Sequence, residues 1–96
     1  MTGTAVEIVD NPEASRYEAV LDGETVGFCS YRDAEGVVLL PHAEVSSSVE
    51  GRGIGSALAR GTLDDLRAKG RSIVPLCPFI VDFIRKNPEY ENMVAP

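Results

Sequence analysis

Three alternating glycines, Gly51, Gly53 and Gly55, stand directly before a stretch that reads as an amphipathic helix. This junction limits what the chain can fold into more than any other feature. From about Gly53 to Lys69, the side chains of Leu58, Ala59, Thr62, Leu63 and Leu66 recur at i, i+1, i+4, i+5 and i+8. Ser56, Arg60, Asp64 and Arg67 occupy the opposite side of the same helix. Gly70 stands where a helix-terminating glycine belongs. A helix with one apolar stripe must bury it against another layer, and the residues before the glycines supply strands for that layer.

Val6, Ile8 and their neighbours predict a short first strand, ended by Asp10-Asn11-Pro12. Arg16–Leu21 and Thr25–Tyr31 flank the turn Asp22-Gly23-Glu24, the spacing of a β-hairpin. Asp33-Ala34-Glu35-Gly36 is a second turn, and Val37–Val45 reads as a fourth strand. Pro41 lies inside it and predicts a bulge or an edge, since proline cannot donate to a ladder. After the helix, Ser72–Leu76 forms a fifth strand. Pro78 suits the first turn of a second helix, Phe79 to about Lys86, stopped by Asn87-Pro88. Phe79, Ile80, Phe83 and Ile84 are expected to pack that helix onto the sheet. The fold class is α+β: a mixed, mostly antiparallel sheet of about five strands, a crossover helix and a C-terminal helix. The fourth and fifth strands, joined through the crossover helix, are expected to run parallel. The 96 residues argue for one domain, 1–96.

Charge narrows the ligand classes. The net charge of -6 disfavours a nucleic-acid partner. Residues 1–50 hold ten acidic and two basic side chains, residues 51–96 five acidic and seven basic. An anionic ligand is therefore better tolerated on the second half, and a cationic substrate on the first. No apolar run is long enough to span a membrane, and Met1–Glu7 lacks the basic and apolar regions of a signal peptide. A cytoplasmic protein with two reduced cysteines, Cys29 and Cys77, is the expectation. Two cysteines and one distant histidine make no zinc pattern, and no metal is expected.

The glycine run carries the first chemical signal. Glycines let the backbone approach a ligand and turn its N–H groups toward it. The first helical turn adds unpaired donors and a partial positive charge, so a pyrophosphate is the natural occupant. The spacing G-x-G-x-G matches neither the dinucleotide fingerprint nor a P-loop. A flexible helix entry is the plainer alternative. Cys77, before Pro78, is either a helix N-cap thiol activated by the helix dipole or a small buried hydrophobe. Cys29, inside a strand, reads as core. His42 and Glu44 share one strand face, because the side-chain period is two, and either could accept a proton from an ammonium group. Taken singly, each reads better as an ordinary solvated or strand side chain; it is their combination just before the glycine loop that points to a site.

Glu50-Gly51-Arg52-Gly53-Ile54-Gly55-Ser56-Ala57-Leu58 resembles the acetyl-CoA signature Arg/Gln-x-x-Gly-x-Gly/Ala of the GNAT acetyltransferase superfamily. With His42-Ala43-Glu44-Val45, Val74-Pro75-Leu76-Cys77-Pro78-Phe79 and Asn87-Pro88-Glu89-Tyr90, the chain is similar to the minimal GNAT-like family of roughly 100 residues. Glu50 stands where the superfamily has Arg or Gln, which leaves Arg52 to supply positive charge. The resemblance implies the acyl-CoA N-acyltransferase-like fold and acetyl-CoA as cosubstrate, held between the strands ending at Val45 and Leu76. It implies pyrophosphate contacts from Gly51, Arg52, Gly53, Ile54, Gly55 and Ser56, and a Val45 N–H that polarises the thioester carbonyl. It also implies that His42 and Cys77 lie near the acetyl group, with Glu44 as a further proton acceptor. Two routes follow: direct attack by the amine, or prior acetylation of Cys77 activated by His42. The acceptor would be an amine of a small molecule or a protein lysine. A non-catalytic acetyl-CoA-binding module is the alternative function.

Overall fold

The structure is a computed structural model that describes residues 6–49 and 51–96. Glu50, the departure from the superfamily signature, lies outside the described residues, as does most of the stretch read for a signal peptide. The strands are β1 (Val6–Asn11), β2 (Arg16–Leu21), β3 (Glu24–Ser30), β4 (Arg32–Ala34), β5 (Val37–Leu40), β6 (Ala43–Val45) and β7 (Ser72–Pro75). The helices are α1 (Ile54–Ala68) and α2 (Pro78–Lys86). Short 3-10 turns cover Pro12–Ala14, Ser47–Val49 and Pro88–Met93.

Seven strand segments replace the five expected because two long strands break. β3 runs on into β4 past Tyr31, and β5 runs on into β6 past Pro41 and His42. β3 and β6 pair antiparallel with Cys29 opposite Ala43, and β4 and β5 pair with Arg32 opposite Leu39. The Ser30 N–H still donates to the His42 C=O at 2.9 Å. Between those registers one residue on the second strand is left over, and Pro41 fills that place. The proline without a donor sits at the bulge it was expected to make. Both hairpin turns are tight because Asp22-Gly23 and Glu35-Gly36 all adopt positive φ, the two-residue type I′ geometry. The second turn is thus shorter than the expected Asp33–Gly36, since Asp33 and Ala34 remain in β4.

The break divides the sheet into two groups, β1-β2-β3-β6 and β4-β5-β7. β5 and β7 are parallel, as expected for strands joined through a crossover helix. β7 follows β5 only as far as Leu40, whose C=O accepts from the N–H groups of both Leu76 and Cys77, at 3.1 and 3.0 Å. Beyond that point β6 stays with β3 while the chain after β7 turns into α2. The two parallel strands therefore part like the arms of a V.

α1 covers the sheet face that carries Tyr17, Ala19 and Cys29. Its stripe, Leu58, Ala59, Thr62, Leu63 and Leu66, is buried as the periodicity predicts, and Ile54 joins it. Each fully buried leucine contributes about 1.5–3 kcal/mol relative to exposure. Gly61 lets the helix lie close on β1, since a Cβ there would fall 2.7 Å from Ile8 Cβ. The helix ends at Gly70, φ +71°, whose N–H donates to Arg67 C=O while Arg71 N–H donates to Leu66 C=O. The face expected to meet solvent instead clamps the C-terminal turn. Arg60 and Arg67 lie over the Tyr90 ring, and the buried Tyr90 hydroxyl donates to Asp64 at 2.7 Å.

Candidate active site

The V between β6 and the start of α2 opens into a cleft of about 350 Å³. Its lining is Ala43, Glu44, Val45, Val49, Gly51, Gly53, Ile54, Gly55 and Phe79. That volume is at the lower end of small-ligand sites, which run about 300–1,000 Å³.

One wall is the glycine loop. Gly51 and Gly53 hold φ of +83° and +75°, values that cost a non-glycine residue strain. A Cβ on either would meet no atom within 4 Å, so backbone shape and not crowding demands glycine there. Gly53 caps α1 without any side chain to satisfy the first-turn donors. The N–H groups of Ile54, Gly55 and Ser56 have no partner within the helix, and the positive end of the helix dipole adds to them. Such an arrangement of backbone donors is suited to an anion. Arg52 and Ser56 are exposed beside it and do not line the cleft.

The facing wall is the free edge of β6. Ladder bonds join Ser30 N–H to His42 C=O and Ser46 N–H to Val26 C=O. In an antiparallel pair such bonds fall on alternate residues, so Ala43 and Val45 are the non-hydrogen-bonded positions. Their N–H and C=O groups point away from β3, toward the side that β7 has left. A polar edge and a helix N-terminus thus face each other across the cleft.

His42 and Glu44 come together as their shared face predicts: His42 Nε2 is 3.1 Å from Glu44 Oε2. Both are exposed, and the His42 ring lies 5.9 Å from the Phe28 ring. Glu44 borders the cleft; His42 stands behind it, outside the lining. They lie on the sheet face opposite α1, while Ala43 and Val45 pack toward the core.

Cys77 is the N-cap of α2 with Pro78 following, as the sequence predicts, and sits at the apex of the V. It holds the N-cap position without a side-chain cap bond and is only 5% exposed, as the reading of a buried small side chain expects. No hydrogen bond joins Cys77 to His42 among the described residues. Cys29 lies in the core, as expected. Burial pushes its thiol up to about 12, and the neighbouring Cys77 thiol adds to the shift.

Phe79 is the residue that sequence reasoning misplaced. Ile80, Phe83 and Ile84 are buried, but Phe79 is 41% exposed and forms part of the cleft. Its side chain reaches Gly55, where an added Cβ would lie 3.0 Å from the Phe79 Cζ. The apolar periodicity of α2 is the same for Phe79 and Phe83. Ile80, in the same first turn, is fully buried, so the turn itself is covered and only the side of it that carries Phe79 faces the cleft. Val49 and Ala43 also line the cleft without having been singled out.

Comparisons with known proteins bear on the family and the fold. The family described as GCN5-related N-acetyl-transferase matches residues 16–93. No curated protein matches the sequence significantly. Among solved structures, a GCN5-like N-acetyltransferase candidate from Staphylococcus aureus has a similar fold, with TM-score 0.68 at 16% identity, covering 99% of this chain and 91% of that one. The ribosomal-protein-alanine N-acetyltransferase of Brucella melitensis biovar Abortus 2308 is similar over 84% of this chain and 61% of its own length, with 26% identity and TM-score 0.58. The chain therefore spans less than two thirds of the Brucella enzyme. Its α+β fold is that of the acetyltransferases, and the chain belongs to the GCN5-related N-acetyltransferase family, enzymes that generally use acetyl-CoA.

Proposed function

We propose that this chain transfers acetyl from acetyl-CoA to an amine of a small molecule or of a protein lysine. The observation that carries the reading is the free edge of β6 at Val45 facing the glycine-cradled start of α1 across one cleft. The amides of Gly51 and Gly53 through Ser56 hold the pyrophosphate, with Arg52 beside them adding positive charge. The Val45 N–H, spared by the β3 ladder, donates to the carbonyl oxygen as negative charge develops on it. Glu44, hydrogen-bonded to His42, accepts a proton from the amine. Cys77, at the apex, supplies a proton to the departing sulfur.

Bound acetyl-CoA would supply an activated thioester: the neutral amine nitrogen bonds the carbonyl carbon as the C–S bond breaks, its one departing proton passes to Glu44, and the thiolate takes the Cys77 proton, which solvent restores as Glu44 releases its own. Direct transfer is favoured over a covalent Cys77 intermediate. His42 is engaged with Glu44, and Cys77 is buried without a hydrogen-bonded base.

Incubation with acetyl-CoA and a panel of amines is expected to yield acetylated amine and free thiol in equal amounts. Tight coenzyme A binding with thiol released only by hydrolysis would make the chain a binding module instead.

A further inference from the structure

A second depression adjoins the cleft on the other side of β6. It has a volume of about 340 Å³ and is lined by Arg16, Thr25, Val26, Gly27, Phe28, Glu44, Val45 and Ser46. Glu44 and Val45 border both spaces, so the sheet edge that would hold the thioester also ends this second pocket. The pocket lies on the sheet face that α1 leaves uncovered.

Its charged groups are of two kinds. At one end is Glu44, with His42 bonded to it from outside the lining. At the other end is Arg16, the only cation in the lining. Its guanidinium carbon lies 4.6 Å from the centre of the Phe28 ring, and its Nε is bonded to Glu18 at 2.8 Å. The two terminal nitrogens of Arg16 hydrogen-bond no described residue. An arginine held over an aromatic ring, with its Nε bonded and its terminal nitrogens bonded to no described residue, is arranged to take a planar anion. The hydrogen bond from Arg16, and after it that from Asn11, already hold the Glu18 carboxyl below its ordinary range, so Glu18 is committed as the anchor of the arginine.

We propose that the acceptor is a small amine that carries its own carboxylate a few bonds from the nitrogen. The carboxylate sits on the terminal nitrogens of Arg16 and the amine at Glu44. Arg16 and His42 flank the same Phe28 ring, within 4.6 Å and 5.9 Å of its centre, so only a short chain joins the two ends. A long protein lysine side chain offers no anion for Arg16, and a polyamine would bring a second ammonium against the guanidinium. Arg16 acts as a specificity residue for the transfer, and the inference rests on the reading of the cleft given above.

The test compares 4-aminobutyrate with butylamine, 1,4-diaminobutane and a lysine-containing peptide. The wild type is expected to favour 4-aminobutyrate over butylamine by about tenfold or more in kcat/KM, the scale of one hydrogen bond to a charged group. Arg16→Gln should collapse that ratio to near one, chiefly through KM, and Arg16→Lys should restore part of it. The coenzyme A affinity of each variant, measured separately, shows whether the neighbouring cleft is intact. Amide spectra of the coenzyme A-loaded protein give a reading without turnover. Millimolar 4-aminobutyrate should shift Phe28, Glu44 and Ser46 in wild type and not in Arg16→Gln. If coenzyme A binds and these shifts appear without acetylation, the transfer reading falls and the pocket assignment stands. Preference for butylamine, the diamine or the peptide, or absence of the shifts, overturns the assignment.

Discussion

Gly55 and Phe79 approach closely across the mouth of the cleft: a Cβ added at Gly55 would lie 3.0 Å from Phe79 Cζ, so the ring would have to give by a few tenths of an ångström. One residue opens α1 and the other opens α2, so this contact sets the width of the V on the side where the strands have parted. Gly55→Ala gains helix propensity, about 0.5–1 kcal/mol, against a ring that is partly exposed and free to move. Thermal stability should change little while coenzyme A affinity falls several-fold. Differential scanning fluorimetry and calorimetric titration together check this; unchanged affinity would place the ligand away from Phe79.

Gly61 behaves differently because its neighbour is fixed. A Cβ there would meet Ile8 Cβ and Cγ1 at 2.7 Å, inside the α1–β1 interface. Gly61→Ala should destabilise by about 1–3 kcal/mol, as overpacking does, despite the better propensity of alanine. Urea unfolding measures it, and a stabilised variant would contradict the packing described.

Glu44→Gln keeps the shape of the side chain and removes its capacity to take a proton. The expected loss in kcat is about 10²–10⁴, with coenzyme A affinity held, because the amides of the α1 turn are untouched. His42→Gln should cost less, since His42 stands behind Glu44 and does not line the cleft. Steady-state kinetics alongside a binding measurement separates the two effects. If His42→Gln proves the more damaging, the order of the two residues is reversed.

Alkaline stability reports on the core. Burial pushes Cys29 up to about 12, and burial followed by the hydrogen bond to Asp10 does the same for Tyr31. Both folded values lie above the unfolded ones, about 8.5 for cysteine and about 10 for tyrosine. Each group therefore favours the folded state below its unfolded value, and that contribution is lost as pH rises through the folded value. The urea midpoint should fall steadily between about pH 9 and 12. Cys29→Ala should flatten the first part of that fall, and curves that stay parallel would refute the assignment to Cys29.

Much of this was legible in the sequence because it is local. The stripe of α1, the Gly70 stop, the turn glycines and the Pro78 start of α2 each depend on a few adjacent residues. The glycine run and the His42–Glu44 pair follow from spacing alone. What escaped depends on where elements end in space. Pro41 signalled a bulge, yet nothing in Val37–Val45 says that β5 and β6 would serve different sheet groups. Phe79 has the same apolar character as Phe83 and Ile80, yet it lines the cleft and stays 41% exposed while they are buried. Arg60, Asp64 and Arg67 look like a solvated face until Tyr90 is folded back onto them.

The central claim is that the start of α1 and the free edge of β6 bind the two ends of one coenzyme. Titration of isotope-labelled protein with coenzyme A, followed through backbone amide shifts, tests it most directly. The account predicts saturable micromolar binding, with the largest shifts at Gly51, Gly53, Ile54, Gly55 and Ser56 and a second group at Val45 and Phe79. No saturable shift, or shifts confined to surfaces away from this cleft, would contradict it.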